Sequence, residues 1–193
     1  IWISSLYVDK QKRFWVGTNK GLFLYDYADG SFIPIDLNGK LPKDQIMVIS
    51  EDRNENLLIG TNGNGLYICD SEQNFLSHYF KNTTPSSLTD NNISAIHEGP
   101  DGCLWVGTRL SGLNRIDTET GTVTHFTTQN GRLGNNSVRT INTYNGELVI
   151  GTYNGLSLIN LADGSCTTYT NFDERKGGLS HFSVFSASVD KAN

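Results

Sequence analysis

Apolar and polar positions along this chain recur in one fixed phrase, written four times. A hydrophobic pair leads into Gly-Thr, a short polar loop follows, and Gly-Leu closes the phrase. The copies run Trp15-Val16-Gly17-Thr18 to Gly21-Leu22 and Leu58-Ile59-Gly60-Thr61 to Gly65-Leu66. They continue with Trp105-Val106-Gly107-Thr108 to Gly112-Leu113 and Val149-Ile150-Gly151-Thr152 to Gly155-Leu156. The glycines of the Gly-Thr pairs lie 43, 47 and 44 residues apart. A period near 45 residues, built from short strand-like segments, predicts the blades of a β-propeller.

Each unit carries four strand signals. The first is short and apolar, as in Ile3-Ser4-Ser5-Leu6, Ile46-Met47-Val48-Ile49, Ile93-Ser94-Ala95-Ile96 and Val138-Arg139-Thr140-Ile141. That pattern suits an innermost strand buried between neighbouring blades. The second ends in Gly-Thr. The third runs from Gly-Leu to Asp26, Asp70, Asp117 or Asn160, residue types that start a side-chain-capped turn. The fourth alternates, as in Thr122 to Thr127, and reads as a half-exposed outer edge. A polar loop then leads to Leu41, Leu88, Leu133 and Leu179, spaced 47, 45 and 46 residues, each followed five positions later by an apolar residue. Blades are therefore expected over about 1–40, 41–87, 88–132 and 133–178, with the first strand of a further blade in 179–193, where Asp190 aligns with Asp9 and Asp52. The expected fold is all-β: about four four-stranded blades plus one extra strand, a piece of a larger propeller. An open piece would expose strand edges and blade faces, and pairing as a homodimer is one way to cover them.

Composition sharpens this picture. The chain has 193 residues, a formal net charge of −5, 20 glycines and one methionine. No basic stripe favours nucleic acid as a partner. No run approaches the roughly 18 apolar residues of a membrane helix. Three cysteines, at 69, 103 and 166, fall at different points of the repeat without CxxC spacing, which argues against a disulfide framework or a zinc site. They are expected to act as small hydrophobes. Trp15 and Trp105 give way to Leu58 and Val149 in other copies, so they read as packing.

Candidate chemistry is sparse. His78 and His125 occupy equivalent outer-strand positions one blade apart, too distant to share a metal, and read as solvated edge residues. The carboxylates are spread over turns, and no nucleophile elbow, metal motif or phosphate loop is present. No catalytic residue, metal ligand or cofactor is assigned. Binding is the better expectation, and propeller loops are where it would reside. The loops between second and third strands are the most variable part of the repeat. They hold Lys20, Asn62, Asn64, Arg109, Tyr153 and Asn154. Lys20 and Arg109 suit a carboxylate or sulfate, Tyr153 a flat ring face, and the asparagines hydroxyl groups.

The unit resembles the two-component regulator propeller repeat. Residues 88–117 carry the likeness best, from Leu88 through Ile93 and Gly102-Cys103-Leu104-Trp105-Val106-Gly107-Thr108 to Gly112-Leu113. The second and fourth copies lack the Trp, and the first has Lys10-Gln11-Lys12-Arg13 in place of a Gly turn. The resemblance implies a seven-bladed parent propeller in the periplasmic sensor region of a membrane-anchored hybrid two-component system of Bacteroidetes type. It implies sensing of a polysaccharide-derived oligosaccharide, with the histidine kinase in another part of the parent. A protein–protein scaffold is the alternative function, and a propeller lyase or hydrolase a more remote one.

Overall fold

The structure is a computed structural model that describes residues 1–170 and 183–186. The described residues form sixteen strands in four antiparallel sheets and no helix. The first blade comprises β1 (Ile3–Val8), β2 (Phe14–Thr18), β3 (Gly21–Tyr25) and β4 (Phe32–Ile35). The second comprises β5 (Ile46–Glu51), β6 (Leu57–Thr61), β7 (Leu66–Cys69) and β8 (Phe75–Tyr79). The third holds β9 (Ile93–Glu98), β10 (Leu104–Thr108), β11 (Leu113–Ile116) and β12 (Val123–Phe126). The fourth holds β13 (Val138–Tyr144), β14 (Glu147–Thr152), β15 (Gly155–Asn160) and β16 (Cys166–Tyr169). Strand order follows chain order in every sheet. Inner strands pack in sequence, β1 on β5, β5 on β9 and β9 on β13. No comparable packing joins β13 back to β1 among the described residues. The fold is a run of four propeller blades. The leucine at 179, His181 and the aspartate at 190 lie outside the described residues.

The core sits at the blade junctions. Trp15, Leu22, Ile46 and Ile59 join the first two blades, Leu58, Leu66, Ile93 and Val106 the second and third, and Trp105, Leu113, Val138 and Ile150 the last two. Large apolar side chains fill these wedges because each sheet is sandwiched between neighbours. Trp15 and Trp105 are fully or almost fully buried, as their exchange with aliphatic residues along the repeat implies.

Burial of the first strand holds for β5, β9 and β13 but fails for β1. Ile3, Leu6 and Val8 are more than half exposed, whereas the equivalent Ile46, Ile93 and Val138 are buried. The reason is packing: no sheet of the described residues covers the outer face of β1. Ile1, Trp2, Phe32 and Ile33 extend that open apolar face.

Why each junction carries a Gly-Thr is visible in the spacing. A Cβ on Gly17 would come within 2.9 Å of Ile46 Cγ2, and one on Gly60 within 2.7 Å of Ile93 Cγ2. On Gly107 it would collide with Val138, and on Gly151 it would lie 2.7 Å from Val184 Cγ1. After each of the first three blades the inner strand of the next thus presses onto a bare backbone. Val184 occupies this place after the fourth blade, its amide donating to the Thr152 carbonyl at 3.0 Å.

Turn chemistry follows the expected residues. The carboxylates of Asp26, Asp70 and Asp117 and the side-chain oxygen of Asn160 accept amides two residues on, at 2.8–3.0 Å. Asp9 closes the turn between β1 and β2. Its side chain is fully buried and accepts from Trp15 Nε1 at 2.8 Å, the Arg13 amide at 2.8 Å and Arg13 Nε at 2.6 Å. In the third blade Gly99 begins the equivalent turn, and the buried Trp105 Nε1 has no partner. Cys69 and Cys103 are buried and Cys166 half-buried, and all three are free thiols.

Two predictions follow from this packing. Gly107→Ala should destabilise the domain by about 1–3 kcal/mol through overpacking against Val138, measurable by urea unfolding. Asp9 also sets a pH dependence. Burial pushes its carboxyl up, but the hydrogen bonds from Trp15 and Arg13 outweigh that and hold it below the ordinary 3.8. A lowered folded value stabilises the fold above the ordinary value, and that contribution is lost as pH falls through the folded one. The melting-temperature advantage of wild type over Asp9→Asn should therefore be full at neutral pH and shrink below about pH 4.

Candidate functional site

The Thr of each repeat shapes the loop face. Thr18, Thr61, Thr108 and Thr152 are buried, and each hydroxyl donates to the carbonyl of Gly21, Gly65, Gly112 or Gly155 at 2.8–3.0 Å. Each also accepts a loop amide, from Lys20, Asn64, Ser111 or Asn154, at 3.0–3.2 Å. The hydroxyl thus clips the loop between the second and third strands shut, using both its donor and its acceptor capacity. Gly112, at φ +93°, lets the chain re-enter β11 under the Phe126 carbonyl, where a Cβ would come within 2.5 Å.

The residue directly after each Gly-Thr is fixed the same way four times. The amides of Asn19, Asn62, Arg109 and Tyr153 donate to the carbonyls of Trp2, Gln45, Asn92 and Ser137 at 2.9–3.1 Å. The backbone there is constant while the side chain is free to vary. Between the third and fourth blades these positions carry Arg109 and Tyr153, and an open cleft of about 650 Å³ lies there. Its walls come from the loops after β10 and β14 (Arg109, Leu110, Tyr153), the connection from β12 to β13 (Thr128, Asn135, Asn136, Ser137), Asn92, and Arg139 on β13.

The connection is firmly held. Asn136 Oδ1 accepts the Thr128 amide at 2.9 Å, its Nδ2 donates to Gln129 at 3.1 Å, and its carbonyl accepts the Gly112 amide at 2.9 Å. Asn135 Oδ1 accepts the Ser137 amide at 2.9 Å. Buried Asn114 anchors the preceding loop of the repeat, donating to Thr89 Oγ1 and the Val106 carbonyl and accepting the Thr89 amide. The size falls within the range of small-ligand sites, and the lining is rich in amide and guanidinium groups.

Of the six candidate residues, the structure brings Arg109 and Tyr153 into this one cleft. Lys20 stands on the first blade, away from it. Asn62 and Asn64 lie on the second blade, their side-chain amides donating to Gln45 and Asp44. Asn154 neighbours Tyr153 but is not part of the lining. The histidines depart from solvated edge residues. His78 is half-buried, stacked 4.0 Å from Tyr67 and bonded to the Asn64 carbonyl at 2.6 Å, and His125 bonds the Ser87 carbonyl at 2.8 Å. The flanking rings and loops at the blade junctions cover them. Among the described residues no cluster of His, Cys, Asp and Glu is arranged for a metal.

Arg139 went unnoticed in the sequence. Every inner strand has a β-bulge at the same place, falling on Ser4, Met47, Ser94 and Arg139. The hydroxyls of Ser4 and Ser94 are spent on backbone carbonyls. In the aligned repeats, one charged residue in a small or apolar column was the available signal.

Comparison with known proteins agrees with this geometry. The two component regulator propeller family matches residues 1–20 and 87–109. The fold is similar to the extracellular domain of a putative hybrid two component system from B. thetaiotaomicron, at 27% identity over 87% of this chain and 24% of that one, TM-score 0.75. It is also similar to the extracellular domain of a putative one component system from the same organism, at 25% identity over 87% of this chain and 25% of that one, TM-score 0.72. The chain thus spans about a quarter of those structures. Virginiamycin B lyase from Staphylococcus aureus shares the fold alone, at 15% identity over 91% of this chain and 57% of that one, TM-score 0.66. No curated protein matches the chain.

Thr108→Val should cost about 1–2 kcal/mol, since the loop amide of Ser111 loses its acceptor. Hydrogen exchange at the Ser111 amide should accelerate in that variant. Unchanged exchange would show that the clip does not hold the loop.

Proposed function

We propose that this chain, which carries two component regulator propeller repeats, is part of the periplasmic sensor region of a hybrid two-component system and binds a polysaccharide-derived oligosaccharide. The cleft between the third and fourth blades carries this reading. Hydroxyl-rich ligands need many fixed hydrogen-bonding groups and one flat apolar face. Asn135 and Ser137 provide polar groups, Asn92 and Asn136 are fixed by their own bonds to Asp90, Thr128 and Gln129, and Tyr153, more than half exposed, provides the face. The similarity to extracellular domains of regulatory systems supports an extracellular setting and a signalling role over catalysis. In this reading the propeller binds without turnover, and the parent chain passes the signal across the membrane to its kinase.

A second reading, a scaffold for protein contacts, is favoured by the apolar face of the first blade, where Ile1, Trp2, Ile3, Leu6 and Val8 are exposed.

Calorimetric titration of the whole extracellular region with an oligosaccharide panel separates the two. Saturable binding of one sugar class without product formation, weakened about tenfold by Tyr153→Ala, is expected. Concentration-dependent mass with no sugar bound would favour the scaffold. Consumption of the sugar would overturn the sensor reading in favour of an enzyme.

A further inference from the structure

We propose that Arg109 and Arg139 form an anion clamp in the cleft, so that the ligand is an acidic sugar whose carboxylate or sulfate they hold while Tyr153 stacks on its ring. This rests on the cleft being the ligand site and adds the chemical class of what it takes. The charge is the first argument. The chain carries a net charge of −5, yet the described lining of this cleft has two guanidinium groups and no carboxylate. Among the described residues neither arginine is in an ion pair. The three that exist involve Arg13, Arg53 and Arg115.

The placement of Arg139 is the second argument. It stands on the bulge of β13, and a bulge re-aims the side chain it carries. The equivalent serines of the first and third blades satisfy backbone carbonyls, but Arg139 makes no such bond, and its buried Nε has no partner. Its guanidinium lies 5.8 Å from the ring centroid of Tyr153 and 5.9 Å from that of Phe185. Two aromatic rings hold the planar fork in place while leaving its donors unspent, a pre-organised arrangement for a planar or tetrahedral oxyanion. Arg109 extends from the tightly clipped loop on the opposite blade. An anion between them would take charge-assisted hydrogen bonds from both.

The test uses the whole extracellular region and three matched oligosaccharides: neutral, uronate-bearing and sulfate-bearing. The expected result is that one acidic form binds at least about tenfold tighter than the neutral one, and that added NaCl erodes the difference. Preference for the uronate identifies a carboxylate source, and preference for the sulfated sugar a sulfate ester. Arg109→Gln and Arg139→Gln should each abolish the preference, lowering affinity for the acidic sugar at least about tenfold more than affinity for the neutral one. Arg139→Lys keeps the charge without the fork and should retain only part of the preference. It also serves should the glutamine variant fail to fold, as judged by thermal melting. Equal binding of all three sugars, or an acidic preference untouched by either arginine variant, would overturn the clamp while leaving the cleft a sugar site. Absence of binding by any sugar would remove the clamp and the sensor reading together.

Discussion

The contact between one blade's bare Gly-Thr backbone and the next blade's inner strand is what the rest of the molecule depends on. A side chain at Gly17, Gly60, Gly107 or Gly151 would displace Ile46, Ile93, Val138 or Val184. That apolar residue is also the one that seals the junction. Close approach and burial are therefore the same event, and the blades cannot separate at one without losing the other. The Thr that follows turns this packing constraint into a functional one. Its hydroxyl, buried at the top of the junction, closes the loop that carries the variable side chains. The presented residue sits one position beyond this buried, doubly bonded threonine.

This arrangement explains how an almost monotonous repeat can build a specific site. Asn19, Asn62, Arg109 and Tyr153 share one backbone environment. What differs is the side chain at that position and a loop of two or three residues behind it, and a cleft with complementary groups forms where two neighbouring blades present them. The third and fourth blades do so. The second presents Asn62 and Asn64, whose amides are consumed by Gln45 and Asp44. Loops of the same form thus divide into those that satisfy themselves and those left open for a partner.

Much of the fold was legible in the chain because the constraint is local and repeated. Four Gly-Thr phrases at near-constant spacing suffice to place sixteen strands, and the Asx turns at Asp26, Asp70, Asp117 and Asn160 follow from residue type. The exposed face of β1 follows from openness, since an open run of blades leaves a blade face uncovered, although the strand's own pattern is the same whether or not a sheet lies against it. The histidines were misjudged for a related reason. Alternation marks β8 and β12 as edges, but it cannot show that Tyr67 stacks on His78 or that the Ser87 carbonyl reaches His125.

The site was half legible. Arg109 and Tyr153 belong to loops that any propeller would display, whereas which of the six candidates Lys20, Asn62, Asn64, Arg109, Tyr153 and Asn154 meet depends on which blades are neighbours. The cleft forms between two adjacent blades and takes only Arg109 and Tyr153 of them. Arg139 required the register itself: it is one residue out of step with β14, and that slip separates it from the alternating pattern of its strand. A bulge at the same point in all four inner strands is a structural necessity, met with serine where it need only cap carbonyls. Arginine there gives up those bonds and places a charge in a column that is otherwise Ser or Met. That departure from the repeat's own rule, beside an aromatic residue on the neighbouring loop, sets this junction apart from the others and makes its chemistry that of an anion receptor.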